Sequence, residues 1–107
     1  DTCHLMGWEG DQLIAYARLL DPVSHEGRVV IGRVVTAPAT RGRGVGHELM
    51  RHALSECARR WPGIAVYLSA QAHLQSFYER YGFRAVTAQY DEDGIPHVGM
   101  LGQSAPT

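Results

Sequence analysis

The sequence predicts one α/β (α+β) domain over residues 1–107, with a mixed central β-sheet flanked by helices. Two observations support this prediction. Runs of β-branched and aromatic residues alternate with two stretches of helical periodicity in the order β-β-β-α-β-α-β-β, without an internal repeat. A chain of 107 residues is also long enough for one hydrophobic core but not for two.

The first three strands precede the first helix. Cys3–Trp8 and Leu13–Leu20 flank the turn EGDQ and are predicted to form a hairpin. Arg28–Ala37 has apolar residues on both faces, which favours a central strand covered on both sides. Gly32 within that strand indicates a β-bulge or a close approach of backbone.

Two helices alternate with the remaining strands. Apolar residues recur at helical spacing from Val45, and the segment WPG ends this helix near Arg60. Ile64–Ser69 is predicted as a short buried strand, and Ala72–Tyr81 as a second helix with Gly82 as its C-cap. The runs FRAVTAQY and IPHVGML then flank the turn DEDG, which predicts a terminal hairpin.

The composition argues against several classes of protein. The formal net charge is −1, whereas generic nucleic-acid-binding domains usually carry an excess of basic residues. No apolar run approaches 18 residues, so we expect no membrane span. Cys3 and Cys57 lie far apart and the histidines lack metal-ligand spacing. This pattern predicts no metal site and favours a reducing, cytoplasmic location.

The segment RGRGVG joins the central strand to the first helix. Free N–H groups and the helix dipole at a helix N-terminus bind anions, and glycine lets a phosphate approach the backbone. Arginine side chains add charge-assisted hydrogen bonds to phosphate oxygens. The candidate phosphate-binding residues are therefore Arg41, Gly42, Arg43, Gly44, Val45 and Gly46. The alternative is an ordinary glycine-rich turn with solvated arginines.

Two familiar phosphate-binding motifs do not fit this segment. The P-loop pattern GxxxxGK[ST] requires a lysine, and the sequence contains none. The dinucleotide pattern GxGxxG requires a glycine where His47 stands, because Gly46 comes one residue too early after Gly42 and Gly44. A nucleotide-binding function is weakened by both departures.

Two motifs resemble those of the GNAT N-acetyltransferase superfamily. VVTAPATRGRGVGHELM is similar to motif A, whose core [QR]xxGxG/A is matched by Arg41, Gly44 and Gly46. FYERYGF is similar to the YxxxGF end of motif B, with Tyr78 four residues before Gly82. AYARLL, YLSAQAHLQSFYERYGF and DEDGIPHVGM further resemble the bacterial ElaA branch. The resemblance covers nearly the whole chain and implies a GNAT fold that lacks the N-terminal strand and the first two helices.

The resemblance also implies acetyl-CoA as co-substrate. In that superfamily the glycine-loop amides hold the pyrophosphate, and the preceding strand, here Val34, Val35 and Thr36, bonds the pantetheine arm. A bulge in that strand splays it from a parallel neighbour. Many relatives have a cofactor-contacting asparagine where this sequence has Gln71, which is one methylene longer.

Acetyl transfer to an amine needs a base, a donor for the carbonyl oxygen and an acid for the departing thiolate. The motif match implies that Tyr78 is the acid, although a core aromatic is the alternative for this position. His97 is the candidate base because histidine titrates near neutral pH, although a lone strand histidine is more often structural. A backbone N–H at Val35 is the candidate oxyanion donor.

Further residues are candidates for contact with the acceptor. Tyr16 and Arg18 lie on the early hairpin, and the acidic turn Asp91–Asp93 would attract a cationic amine, although acidic tight turns are common without function. The acceptor is expected to be a small-molecule or peptide amine rather than a nucleic acid or a membrane. Many members of the superfamily dimerise, so a homodimer is compatible with the resemblance.

The leading hypothesis is thus an N-acetyltransferase that moves acetyl from acetyl-CoA to a primary amine by direct attack in a ternary complex. The alternative is an acyl-CoA-binding sensor or partner module without acetyl transfer. The glycine loop is expected in both, so it does not separate them.

Overall fold

A computed structural model of the chain describes residues 2–23, 25–37 and 44–103. Within these ranges it contains seven strands and two α-helices, the second preceded by a 3₁₀ turn over Ala72–Leu74. The elements follow one another as β1 (Thr2–Glu9), β2 (Gln12–Leu20), β3 (Val29–Thr36), α1 (Val45–Arg60), β4 (Ala65–Gln71), α2 (Gln75–Glu79), β5 (Arg84–Ala85), β6 (Tyr90–Glu92) and β7 (Ile95–Gln103).

All seven strands form one mixed sheet in the order β1-β2-β3-β4-β7-β5, with β6 also paired to β7. β3 and β4 run parallel, and the other described pairs are antiparallel. The mixed sheet flanked by helices agrees with the fold predicted from the sequence.

β3 contains the bulge that Gly32 indicated. In the ladder with β2, Tyr16 is opposite Val35 but Arg18 is opposite Gly32, so β3 has one residue more over this stretch. Within this bulge Arg33 adopts the left-handed backbone conformation, with φ of 53°. A residue other than glycine seldom has a positive φ. The extra residue of the bulge bends the strand at Arg33.

The bend separates β3 from its parallel neighbour. Their pairing covers only Val29–Ile31 on β3 and Val66–Leu68 on β4. Beyond it, β3 continues to Thr36 and β4 to Gln71 without a described pairing between them. The two strands therefore diverge and leave a cleft at the centre of the sheet.

Both helices pack on the same face of the sheet. A row of buried residues crosses that face, because Leu19 is opposite Ile31, Ile31 opposite Leu68, and Leu68 opposite Met100. The helices add to this core the buried side chains of Met50, Ala53, Leu54, Cys57 and Tyr78. The prediction that β3 is covered on both faces was wrong, since buried and half-buried residues alternate along its first half.

Two elements differ from the predicted ones. The helix predicted over Ala72–Tyr81 is shorter, because a 3₁₀ turn precedes α2 and a Schellman motif ends it. In this motif Gly82, with φ of 86°, donates to the Glu79 carbonyl, and the N–H of Phe83 donates to the Tyr78 carbonyl. The first arm of the terminal hairpin is divided into β5 and β6.

Candidate active site

The divergence of β3 and β4 opens a cavity of about 600 Å³. Its walls come from β2, β3, β4, α2 and the β6–β7 hairpin. Four of the predicted catalytic and cofactor-binding residues line it, namely Val34, Gln71, Tyr78 and His97. The predicted acceptor contacts Arg18, Glu92 and Asp93 line it too. Residues far apart in the chain thus meet at the point where the sheet is split.

Tyr78 reaches this cavity from α2 while its ring packs into the core. It is 6% exposed, and its ring contacts those of Phe77 and Phe83 edge-on. Burial raises the pKa of Tyr78 above the ordinary tyrosine value of 10.0, because a phenolate would be poorly solvated there. The phenol therefore remains a proton donor at neutral pH. Its core packing and its position in the cavity are compatible with each other.

His97 lies on β7, directly opposite Gln71 in the ladder with β4. Its Nδ1 is 2.8 Å from the Ile95 carbonyl, which can only accept a hydrogen bond, so Nδ1 bears the proton. Nε2 is then the nitrogen with a free lone pair in the neutral ring. Glu92 Oε2 lies 3.8 Å from Nε2 and would pair with an imidazolium formed there.

A polar group adjoins His97 on the same face of the sheet. Ser69 contacts the hydroxyl of Tyr90 and donates to Glu92 Oε1 at 3.3 Å. The Tyr90 ring stacks near His97. Sequence analysis did not predict that these side chains adjoin His97, although the Asp93–Gly94 turn could have indicated it. Both turn residues have positive φ, so the tight hairpin fixes Tyr90 opposite His97.

The backbone of β3 presents its free donors to the cleft on alternate residues. Ala37 donates its N–H to the Ile14 carbonyl on β2. Because hydrogen-bonded pairs alternate along an antiparallel ladder, the N–H of Val35, opposite Tyr16, is also directed at β2. The N–H groups of Val34 and Thr36 point the other way, and Val34 lines the cavity. Val34 is thus a better oxyanion donor than Val35.

The described part of the glycine loop begins at Gly44. This residue has φ of 74°, which favours glycine, and it caps α1 without a side-chain hydrogen bond. The first intrahelical bond runs from the Glu48 N–H to the Gly44 carbonyl. The N–H groups of Val45, Gly46 and His47 therefore have no acceptor within the helix. The other predicted phosphate-binding residues, Arg41, Gly42 and Arg43, lie outside the described residues.

The first turn of α1 is joined to the end of α2. His47 Nδ1 is 2.6 Å from the Tyr81 hydroxyl, and its ring packs against Phe77 at 4.7 Å between centroids. A Cβ at Gly46 would also lie 3.6 Å from the Phe77 ring, an ordinary van der Waals contact. The helix start predicted to bind phosphate and the helix that holds Tyr78 therefore contact each other directly.

A second cavity of about 280 Å³ lies between β1 and α1. Of the predicted site residues it contains Val45 alone, together with apolar residues of β1 and β2 and the side chains of Glu48 and His52. Val35 and Thr36 line neither cavity. Because Tyr78 and His97 both lie at the larger cavity, that cavity is the candidate active site.

The cysteines do not supply a nucleophile at this cavity. Cys57 lies on the buried face of α1, and burial raises the pKa of its thiol to about 12, so a thiolate is disfavoured at neutral pH. Among residues 2–23, 25–37 and 44–103, no group of three or more histidine, cysteine or acidic side chains is arranged to hold a metal ion. No helix in the described ranges has both the length and the apolar character needed to cross a membrane.

Comparisons with known proteins agree on one family. A protein-family model for the acetyltransferase (GNAT) domain matches residues 1–102. The chain is 52% identical to Protein ElaA of Escherichia coli over 100 residues, which is 94% of this chain and 65% of ElaA. The crystal structure of that protein superposes with a TM-score of 0.90. The chain therefore spans about two thirds of the length of this relative.

Two further solved structures extend the comparison. An acyl-CoA N-acyltransferase from Pseudomonas aeruginosa has a TM-score of 0.92 and 63% identity, covering 95% of this chain and 68% of that one. An aminoglycoside 6'-N-acetyltransferase complexed with coenzyme A has a TM-score of 0.78 and 17% identity, covering 99% of this chain and 74% of that one. At that identity the second match shows a shared fold alone.

Proposed function

Because the chain belongs to the GNAT acetyltransferase family, we propose that it transfers acetyl from acetyl-CoA to a primary amine by direct attack in a ternary complex. The single observation that supports this most strongly is the cavity between β3 and β4, where a buried phenol and a histidine with a free Nε2 line the same space. A phenol and an imidazole are the acid and base that the reaction needs.

The glycine loop is proposed to hold the pyrophosphate of the cofactor. Support comes from the N–H groups of Val45, Gly46 and His47 at the start of α1, which have no acceptor within the helix and so suit an anion at the helix end. One solved structure of this fold is complexed with coenzyme A, which agrees with the proposal. The acyl arm would then follow β3 into the cleft, with Gln71 at the end of β4 as a further polar contact.

The proton transfers are assigned to two residues of the cavity. His97 Nε2 takes a proton from the ammonium form of the acceptor, because an amine attacks only with a free lone pair. The amine nitrogen then bonds to the acetyl carbon while the Val34 N–H faces the negative oxygen. As the carbon–sulfur bond breaks, Tyr78 donates its phenolic proton to the thiolate, and the phenolate regains a proton from the attacking nitrogen, which leaves a neutral amide.

A cytoplasmic location is proposed on the state of the cysteines. Cys3 and Cys57 are both free thiols, as expected for a protein in a reducing compartment.

Acetyl-CoA is expected to raise the melting temperature of the purified protein, whereas ATP and NAD are not. At a hundredfold excess over Kd, a ligand of the native state stabilises it by about 2.7 kcal/mol. For a domain of this size that corresponds to a rise of roughly ten degrees. Differential scanning fluorimetry measures the shift, and equal shifts with all three ligands would contradict acetyl-CoA binding.

Replacing Glu92 with glutamine is expected to lower kcat by up to about fivefold, since an exposed ion pair is worth up to about 1 kcal/mol. The substitution removes the carboxylate that pairs with the His97 imidazolium during the reaction. Asp91→Asn is the matched control, because Asp91 is exposed on the same strand and does not line the cavity. A reduction of kcat by Asp91→Asn equal to that by Glu92→Gln would contradict the assigned pairing.

A further inference from the structure

Arg18 provides a cation to the candidate active site. It lies on β2 opposite Gly32, and a Cβ at Gly32 would be 4.0 Å from both Nε and Nη2 of its guanidinium. The guanidinium therefore lies across β3 at the bulge, and Arg18 lines the cavity. These distances are ordinary van der Waals contacts, so the guanidinium packs over Gly32.

One nitrogen of the Arg18 guanidinium, Nε, is buried and has no hydrogen-bond partner among the described residues. A buried donor without a partner is costly and uncommon in folded proteins. Arg33 lines the same cavity, so a second guanidinium adds to the positive charge on the β2–β3 side.

Carboxylates lie on the opposite side of the cavity. Glu92 and Asp93 line it from the β6–β7 hairpin, next to His97. The acceptor amine must reach His97 to lose its proton, and it arrives there beside Glu92. The cavity is thus polarised, with carboxylates near the proposed base and two arginines across the cleft.

We propose that the acceptor is a small molecule with a carboxylate as well as the primary amine, such as an amino acid or a short peptide, and that Arg18 binds this carboxylate. This inference rests on the proposed acetyl transfer. The ammonium group of the acceptor would lie at Glu92 and His97, and its carboxylate would lie at the guanidinium of Arg18. Guanidinium groups bind carboxylates in a planar, two-point geometry, which fixes the orientation of the amine.

The same charges disfavour acceptors with several amines. A polyamine or an amino sugar would place a second ammonium group near Arg18 and Arg33, where like charges repel. A carboxylated amine instead matches both sides of the cavity. The charge pattern thereby favours carboxylated amines over polyamines and amino sugars. The glycine loop does not contribute to this selection, because it is proposed to bind the cofactor.

The test compares paired ligands that differ only in the carboxylate. Each amino acid with a terminal amine, from glycine to 6-aminohexanoate, is paired with the alkylamine of the same chain that lacks the carboxylate. Glycylglycine, paired with its amide, separates peptides from free amino acids. Dissociation constants are measured by calorimetry with and without saturating CoA, and acetyl transfer by thiol release. For at least one chain length we expect the carboxylated ligand to bind about tenfold to a hundredfold tighter, the range for a hydrogen bond to a charged group.

Arg18→Gln removes the charged contact with the carboxylate. The two dissociation constants of a ligand pair should therefore differ by no more than about twofold. Arg18→Lys, which keeps the charge, should retain part of the preference for the carboxylated ligand. Arg28→Gln is the matched control and should retain all of it. The Nε of Arg28 is likewise buried and unpaired among the described residues, but Arg28 stacks on Tyr67 and does not line the cavity.

Equal affinities within every pair, or a preference that survives in folded Arg18→Gln, would overturn the carboxylate inference. A protein that binds no CoA and acetylates no amine would instead contradict the proposed function, while the paired affinities measured without CoA still decide the role of Arg18.

Discussion

Replacing Tyr78 with phenylalanine is expected to lower kcat by about 10²–10⁴-fold, the usual contribution of a positioned general acid. The change removes one hydroxyl and keeps the ring that packs against Phe77 and Phe83. The dissociation constant for acetyl-CoA should therefore remain close to that of the wild type. Steady-state kinetics with thiol release and a separate calorimetric titration measure the two quantities.

The raised pKa of Tyr78 gives this prediction a second signature. Only the protonated phenol can donate to the thiolate, so activity is retained at neutral pH and falls as the pH rises past the raised value, above 10.0. Tyr16→Phe is the matched control, because the Tyr16 hydroxyl contacts His4 and does not line the cavity. An unchanged kcat in Tyr78→Phe would remove the assigned acid role and favour a purely structural aromatic.

Replacing Gly44 with glutamate is expected to abolish the acetyl-CoA-dependent rise in melting temperature. The substitution places a side chain and a negative charge beside the N–H groups of the first turn of α1, where the pyrophosphate is proposed to bind. We expect the variant to lose all the stabilisation that acetyl-CoA provides, which is about 2.7 kcal/mol at a hundredfold excess over Kd. Fluorimetry with and without acetyl-CoA measures this difference.

Backbone strain must be separated from this effect on binding. Gly44 has φ of 74°, so any side chain at this position also lowers stability without ligand. Gly63→Glu is a matched control, because Gly63 has φ of 78° and, as at Gly44, a Cβ added there would have no described neighbour within 4 Å. A full acetyl-CoA shift in Gly44→Glu would show that the loop does not bind the pyrophosphate.

The sequence predicted the regular elements well where periodicity alone determines them. The β1–β2 hairpin, β3, α1 and β4 begin and end within two residues of their predicted bounds. The GNAT resemblance, its ElaA branch and the mixed sheet are confirmed by the family match and the solved structures. Each of these rests on local patterns or on motifs of fixed spacing.

The departures have tertiary causes that periodicity does not contain. The division between β5 and β6 coincides with Thr87, whose Oγ1 accepts the Gly99 N–H and so replaces a backbone partner in the ladder. A Cβ at Gly99 would collide with the Tyr67 hydroxyl and lie 2.8 Å from Thr87, so the strands pack closely here. Such contacts between distant residues are not visible in a single sequence.

The candidate site was predictable in part. The motifs identified Tyr78, and the terminal strand identified His97, but neither revealed that both meet at the divergence of β3 and β4. The sequence indicated the acidic turn as an attractor of a cationic amine, but the pairing of Glu92 with His97 follows from hairpin register and was missed. The choice of Val34 over Val35 depends on which N–H groups of β3 are bonded to β2. The pairing register of these two strands decides this, and the sequence does not give it.

The hydrogen bond between His47 and Tyr81 has a consequence for cofactor choice. It joins the first turn of α1 to Tyr81, just beyond the helix that carries Tyr78. In the proposed complex the pyrophosphate binds at the start of α1 and the thioester sulfur lies at Tyr78. The distance between these two points therefore selects the length of the cofactor arm. A thioester on a shorter or longer arm than pantetheine would bind through its phosphates yet miss the acid.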